Sequence, residues 1–164
     1  MTMTETRDSA GVIAPPPLIA LAAVVLGLAL DWLLPAFLLS VLLTLVERIA
    51  IAVVLIGAGA ALAIPAMRGF RSAGTHVEPW KPSSALVTDG IFGRLRNPMY
   101  VGLAFLVSGL GIAFASDWTL VMLVAAALVI HFGVVKREER YLEAKFGDAY
   151  RQYKARVPRY GIPT

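Results

Sequence analysis

The chain of 164 residues contains no cysteine, which excludes disulfide bridges, thiolate metal sites and cysteine nucleophiles. Charged residues are also scarce, at 16%, whereas hydrophobic residues make up 58%. A soluble domain has more polar residues with which to cover its surface, so this composition disfavours a soluble globule. The net charge of +4 does not predict nucleic-acid binding, because aromatic and basic residues do not alternate as they do in nucleic-acid-binding sheets.

Long apolar segments account for the hydrophobic composition. A helix that crosses a bilayer needs roughly 20 mostly apolar residues, and four segments approach this length, at residues 18–34, 49–64, 99–115 and 119–135. Residues 36–46 are apolar but shorter, so we expect them to be interfacial; the alternative is one long tilted helix over residues 35–64. The sequence therefore predicts an all-α integral membrane protein of one domain (residues 1–164), with about four transmembrane helices.

The basic residues predict the topology. Residues 1–11 do not resemble a cleaved signal peptide, because the one basic residue is offset by acidic neighbours and no small-residue cleavage site follows; we expect a retained anchor. With four spans, the N-terminus, the loop of residues 68–96 and the tail from residue 136 lie on one side. Of the 15 Lys and Arg residues, all but Arg48 fall on that side, so the positive-inside rule predicts that it is cytoplasmic. In a bacterium the membrane would be the inner (plasma) membrane.

The last two spans are expected to form a helical hairpin, joined by a tight turn at Ser116, Asp117 and Trp118. The charged tail that follows is helix-prone. Its larger apolar and aromatic residues are spaced to form one amphipathic stripe, namely Tyr141, Leu142, Phe146, Tyr150 and Tyr153. We therefore expect one amphipathic tail helix on the cytoplasmic side.

Two other patterns carry less information. Gly57-Ala58-Gly59 resembles the start of a dinucleotide-binding motif but lies in an apolar span without a preceding strand, so we expect small residues for helix packing. His76 and His131 lack carboxylates at metal-ligand spacing. No metal site is predicted, and His131 is expected to be a packed or interfacial side chain.

The start of the third span is the main candidate site. Asn97 can cap the free amides of a helix, and Pro98 suits the first helical position. A helix N-terminus attracts a carboxylate or phosphate, and Arg96 adds to this preference, while Gly102 allows close packing against the backbone. The alternative is a topological role, in which Arg96 marks the interface and Tyr100 belongs to the aromatic belt.

Two adjacent acids, Glu138 and Glu139, follow the fourth span. On a helix they point about 100° apart, so only one is expected to face inward. The alternative is a solvated charge patch with Arg137 and Arg140. Because the hairpin brings this end of span four next to Arg96, we expect an anion site and a cation site to meet, as binding a zwitterion requires.

Three linked motifs in residues 74–158 are similar to those of a known family. They are Leu86-Val87-Thr88-Asp89-Gly90-Ile91-Phe92, then Arg96-Asn97-Pro98-Met99-Tyr100-Val101-Gly102, then a tail pattern with Glu138-Glu139-Arg140-Tyr141-Leu142, Phe146-Gly147, Tyr150, Tyr153 and Arg156-Val157-Pro158. Together they resemble the isoprenylcysteine carboxyl methyltransferase family and its phospholipid methyltransferase relatives. Residues 1–67, the N-terminal spans, match only in being hydrophobic.

The resemblance implies a membrane methyltransferase that uses S-adenosyl-L-methionine (SAM) without a Rossmann domain, with residues 74–158 as the cofactor-binding core. We predict Arg96 and Tyr100 as catalytic residues. The cofactor contacts implied are Ser84, Ala85, Leu86, Val87, Phe92, Asn97, Pro98, Met99, Tyr100 and Glu138. Two positions depart from eukaryotic members, which usually have His at the position of Asn97 and, at the position of Val134, an Arg that meets the substrate carboxylate.

The acceptor is expected to be lipophilic and to enter from the membrane lipids. The family default is the carboxylate of an isoprenylcysteine-like substrate; a phospholipid amine and a small thiol remain open. Methyl transfer from a sulfonium needs little acid–base machinery, because rate can come from alignment and exclusion of water. The alternatives of another class are a non-enzymatic membrane scaffold or regulatory subunit, and a transporter, which is disfavoured because spans one, three and four lack a central ionisable residue.

Overall fold

The computed structural model describes residues 8–161. Over this range the chain is helical and contains no strand. The α-helices are α1 (Pro16–Leu33), α2 (Leu38–Leu42), α3 (Leu45–Ser72), α4 (Pro98–Ala113), α5 (Asp117–Ile130), α6 (Lys136–Phe146) and α7 (Asp148–Arg156). A 3₁₀ turn lies at Gly90–Gly93, and a π-helical segment at His131–Val135 makes α5 and α6 one continuous helix.

Three helical segments of the described residues are long and apolar enough to cross a membrane. They are α1, α3 and the continuous helix Asp117–Phe146. The apolar helix α4 has 16 residues and is therefore shorter, at about 24 Å. These segments coincide with the four predicted spans, so the prediction of an all-α integral membrane protein is confirmed.

The second span is longer than the sequence pattern indicates. At its start, Thr44 and Glu47 form a capping box, in which Thr44 N donates to Glu47 Oε2 at 2.8 Å and Glu47 N donates to Thr44 Oγ1 at 3.4 Å. The charged pair Glu47-Arg48 thus lies in the first turn of α3. The alternative of a single helix over residues 35–64 is wrong, because the chain is extended at Leu43 and Thr44.

The far end of α3 also extends past the predicted boundary. The helix continues through Pro65 to Ser72, so Arg68 and Arg71 belong to its last turns and the loop begins after them. The prediction of a loop from residue 68 is wrong at this end, because the change from apolar to polar residues marks where the helix leaves the apolar environment and not where it ends.

Where α4 packs along α3, the backbones of the two helices are in direct contact at two glycines. A Cβ atom added at Gly59 would lie 2.7 Å from the carbonyl oxygen of Gly102, and a Cβ at Gly102 would lie 2.7 Å from that of Gly59. This confirms the predicted packing roles of Gly59 and Gly102, since small residues let membrane helices approach closely. At Gly57 an added Cβ would meet nothing within 4 Å, so that glycine has no such role.

The predicted hairpin of α4 and α5 is present. Ser116 caps α5 by accepting a hydrogen bond from Thr119 N at 3.1 Å, and its own hydroxyl donates to the carboxylate of Asp31 at the end of α1. Asp117 accepts from the backbone amides of Leu38 and Leu39 at 2.9 and 3.1 Å. The turn therefore also holds the connection between α1 and α2 at the same end of the bundle.

The tail differs from the predicted single helix. Gly147, with φ +55°, ends α6 and reverses the chain into α7. Tyr150 and Tyr153 are buried with Val157, and Leu86, Leu142 and Phe146 pack against them. Four of the five residues of the predicted stripe therefore pack together, and Tyr141 lies outside the cluster. They lie on two short helices and not on one, because glycine at position 147 adopts this left-handed conformation at little cost and the tail folds back on the loop.

Candidate functional site

A cavity of about 370 Å³ lies between α3, α4, the start of α1 and the loop that follows α3. One end is apolar and is lined by Ile56, Gly59, Ala60, Ala63 and Leu106. The other end is polar and is lined by Glu78, Arg96, Asn97, Tyr100 and Glu138. The cavity thus presents apolar and ionisable side chains to the same space, a combination found in ligand sites.

A smaller cavity of about 50 Å³ adjoins the polar end. Phe92, Arg96, Asn97 and Glu138 line both cavities. The smaller one is further lined by residues of the loop and by the two tyrosines of α7, among them Ala85, Leu86, Val87, Tyr150 and Tyr153. The loop and the tail therefore close the polar end of the site.

The hydroxyl group of Tyr100 donates a hydrogen bond to Glu138 Oε2 at 2.8 Å. Tyr100 lies in the first turn of α4, and Glu138 lies in the first turn of α6. The hairpin places these two turns at the same end of the bundle, which brings the carboxylate of Glu138 next to the N-terminus of α4 as the sequence predicts.

The neighbouring acid, Glu139, is also turned inward. Its carboxylate lies 2.9 Å from Arg96 Nη1 and 2.6 Å from Arg159 Nη2, and Arg159 Nε donates to its other oxygen at 2.9 Å. Only 8% of the Glu139 side chain and 6% of the Arg96 side chain are exposed. The expectation that only one of the two acids faces inward is therefore wrong, as is the alternative of a solvated patch.

Arg96 retains hydrogen-bonding capacity despite this ion pair. Its Nε and Nη1 atoms are buried without a hydrogen-bond acceptor in the part of the chain that is described, because the contact of Nη1 with Glu139 is close but not directed along an N–H bond. Buried guanidinium N–H groups without acceptors are costly. The side chain lines both cavities, so an anionic group in either could accept from it.

Asn97 does not cap α4, contrary to the prediction. Its side chain makes no capping hydrogen bond, and its Nδ2 donates instead to the carbonyl oxygen of Arg159 at 3.2 Å. Arg96 N donates to Pro158 O at 2.9 Å. The segment after α7 therefore holds the start of α4, and the first-turn amides of α4 keep their capacity to bind a ligand.

Arg159 is the main site residue that the sequence motifs do not reveal, since it lies one position beyond the family-like pattern. The hydrogen bond with Glu139 raises the pKa of Arg159, so the guanidinium stays charged. Its one sequence feature is its place beside Pro158, and this does not distinguish Arg159 from the other arginines of the tail.

The other predicted cofactor residues surround the same space, with one exception. Phe92, Pro98 and Met99 line the larger cavity. Ser84 lines neither of the two, because its side chain is exposed and its hydroxyl donates to Gly74 O at 2.9 Å. Nine of the ten residues predicted to contact a cofactor are thus brought together.

Buried tyrosines support the loop. Tyr153 donates a hydrogen bond to Phe92 O at 2.8 Å, which fixes the 3₁₀ turn beside the cavity. Burial raises the pKa of both Tyr150 and Tyr153, so their phenols remain protonated donors near neutral pH.

The segment before α1 lies across the tail and the loop. Asp8 accepts hydrogen bonds from Tyr141 at 2.7 Å and from Lys145 at 2.7 and 2.8 Å, and the Lys145 bond lowers the pKa of Asp8. Ala10 N donates to Pro79 O at 3.3 Å. The N-terminal segment therefore contributes to the enclosure of the site, a role that no sequence pattern predicts.

The two histidines differ in their relation to this arrangement. His76 is exposed but lines the smaller cavity, whereas His131 lines neither cavity. His131 is half-buried, and its Nδ1 lies 2.8 Å from the hydroxyl of Tyr160. Among residues 8–161, no group of three His, Asp or Glu side chains is placed to hold a metal ion.

The comparisons with known proteins identify one family. A family model described as phospholipid methyltransferase matches residues 47–149. The chain is 40% identical over 80 residues to a protein-S-isoprenylcysteine O-methyltransferase of Schizosaccharomyces pombe, covering 48% of this chain and 33% of that protein. It is 36% identical over 62 residues to an uncharacterized protein of Haemophilus influenzae, covering 38% of this chain and 98% of that protein. No solved structure matches the chain.

Proposed function

Since the chain belongs to the phospholipid methyltransferase family, we propose that it is a membrane-embedded methyltransferase that uses SAM and acts on a lipophilic acceptor. The observation that carries the proposal is the cavity in which Arg96, the start of α4 and Glu138 share one end and apolar residues form the other. The alignment spans about a third of the S. pombe relative, so that protein's activity supports the proposal without deciding the acceptor.

The polar end suits the zwitterionic part of SAM. Arg96 has buried N–H groups without an acceptor, and the first-turn amides of α4 are not capped by a side chain; both favour a carboxylate. The carboxylate of Glu138 favours an ammonium or sulfonium group. When bound, SAM supplies a methyl group already activated by its sulfonium.

The residues of the chain hold and shield the reacting groups in this proposal. Tyr100 fixes the orientation of the Glu138 carboxylate through its hydrogen bond, and Arg96 neutralises an anion at the opposite side. The closely packed helices at Gly59 and Gly102 form a dry apolar wall. Alignment and exclusion of water can supply much of the rate of such a displacement.

Three acceptor classes are compatible with the apolar end of the cavity. The printed name of the S. pombe relative favours an isoprenylcysteine carboxylate, and the family description favours a phospholipid amine; a small thiol is the third. Val134 is fully buried, packed with Ile130 and Val135, so the position where eukaryotic members have an arginine offers no cation here. We retain the isoprenylcysteine-like carboxylate as the first acceptor to test.

Binding of radiolabelled SAM to purified protein in detergent tests the donor site. We expect Glu138→Gln to weaken SAM binding about tenfold or more, since it removes a charge-assisted interaction. Asp148→Asn makes the same chemical change at an exposed position of α7 and should bind SAM as wild type does. Equal binding by wild type and Glu138→Gln, or no binding by folded wild type, contradicts the proposal.

A product assay separates the acceptors. Protein in nanodiscs is incubated with labelled SAM and, in parallel, a synthetic prenylcysteine, phosphatidylethanolamine or methanethiol, and the methylated product is identified by mass. A product from one acceptor assigns the class. Donor binding without a product from any of the three would favour the scaffold or regulatory subunit.

We further propose that both termini and the site face the cytoplasm, since Arg68, Arg71 and the tail arginines share one end of the bundle. The absence of cysteine makes the test direct. The variant Asp148→Cys should react with an impermeant maleimide only after the cells are permeabilised. The variant Phe114→Cys should react in intact cells. The reverse pattern contradicts the orientation.

A further inference from the structure

A separate polar cavity lies on the outer side of the tail. It measures about 420 Å³ and is formed by α6, α7 and the segment after α7. Four of its seven lining residues are basic, namely Lys136, Arg140, Lys154 and Arg159. It shares no lining residue with the larger cavity of the candidate site, so it offers a second place for a ligand.

The acids of this cavity are already neutralised. Glu139 is paired with two arginines, and Glu143 accepts from Lys154 at 3.1 Å. In contrast, Lys136 and Arg140 are exposed, and no carboxylate within residues 8–161 lies at ion-pair distance from either. Two uncompensated positive charges therefore face the cavity, which suits an anion.

The cavity lies where the helix surface changes from apolar to basic. Leu128 and Phe132 are 55% and 57% exposed, and Lys136 and Arg140 follow at the same four-residue interval. The ammonium group of Lys136 lies 4.6 Å from the centre of the Phe132 ring, which shows that these side chains share one face. Such a change marks the boundary between hydrocarbon and headgroups.

We propose that this cavity binds the phosphate headgroup of an anionic phospholipid. Lys136 and Arg140 supply the charge, and the exposed ridge of Leu128 and Phe132 lies beside an acyl chain. A free phosphate ion would use the charges but gain nothing from the ridge, so the structure favours the lipid. The inference does not depend on methyl transfer, because neither Lys136 nor Arg140 contacts the candidate donor site.

Native mass spectrometry of the full chain in detergent, titrated with phosphatidylglycerol or phosphatidylcholine, tests the site. Phosphatidylglycerol has no amine and cannot serve as an amine acceptor. Each basic residue near a membrane surface contributes roughly a fivefold gain in affinity for anionic lipid, so Lys136→Gln/Arg140→Gln should weaken phosphatidylglycerol binding about 30-fold. Raising the ionic strength should weaken wild-type binding as well.

The control is Arg68→Gln/Arg71→Gln, which removes the same charge from exposed positions on α3 that do not line the cavity. It should bind phosphatidylglycerol within about twofold of wild type. If the double variant does not fold, Lys136→Gln alone replaces it, with an expected loss of about fivefold in affinity for phosphatidylglycerol. The proposal is overturned if both double variants lose equal affinity, if phosphatidylcholine binds equally well, or if inorganic phosphate displaces the lipid at equal concentration.

Discussion

The contact between Gly59 and Gly102 predicts a sharp difference between two chemically identical substitutions. Gly59→Ala and Gly57→Ala each add one methyl group to α3 and gain the same helix propensity, up to about 1 kcal/mol. Only at Gly59 does the new Cβ meet an atom, the carbonyl oxygen of Gly102 at 2.7 Å. This neighbour is backbone and cannot turn away, so α3 and α4 must separate.

The difference between the two variants isolates the cost of that separation, because the propensity gain cancels. Overpacking costs about 1–3 kcal/mol, so Gly59→Ala should be less stable than Gly57→Ala by that amount. Reversible unfolding in mixed micelles, followed by tryptophan fluorescence, measures the difference. If the two variants unfold within about 0.3 kcal/mol of each other, a resolution typical of such comparisons, the close approach of α3 and α4 is refuted.

Three further predictions follow from single contacts. Tyr100→Phe removes the hydrogen bond to Glu138 and should weaken SAM binding about three- to tenfold, measured by equilibrium binding; unchanged affinity would argue against an orienting role. Arg159→Ala leaves Glu139 with one partner and should reduce the free energy of unfolding by about 1–3 kcal/mol, with a loss below 0.5 kcal/mol contradicting the network. The Cβ added by Gly147→Ala meets no atom within 4 Å, but the backbone keeps φ at +55°. The substitution should therefore reduce the free energy of unfolding by about 1–2 kcal/mol, measured by thermal unfolding. A neutral result would show that the turn rearranges.

The sequence predicts the spans and the hairpin well because the bilayer imposes a length on apolar segments. Once α4 and α5 form a hairpin, Tyr100 and Glu138 must come to the same end, and their hydrogen bond follows from this geometry. The predicted cofactor residues of the loop were available only through the family resemblance. Ser84 shows the limit of the resemblance, since it precedes the first motif by two residues and lies outside both cavities.

The contacts of the two ends of the chain were not predictable in this way. Asp8 pairs with Lys145 across more than a hundred residues, and Pro158 and Arg159 hold Arg96 and Asn97. Such contacts depend on how short polar segments fold back over the bundle, which no periodicity encodes. The local sequence at Asn97 predicts a helix cap, but this prediction is wrong, because the side-chain amide donates to a backbone carbonyl of the tail instead.

The adjacent acids show how a local irregularity changes the site. On a uniform helix, neighbouring residues point about 100° apart, which predicts a single inward-facing acid. The π segment at His131–Val135 precedes both acids, so it turns them together by roughly 100° about the helix axis and leaves the angle between them unchanged. Glu138 then meets Tyr100 in the cavity while Glu139 meets Arg96 and Arg159 on the adjacent face. Both faces are covered by protein, because α4 covers one and the tail covers the other. Glu138 can therefore serve a ligand site while the adjacent Glu139 forms the ion network that supports it.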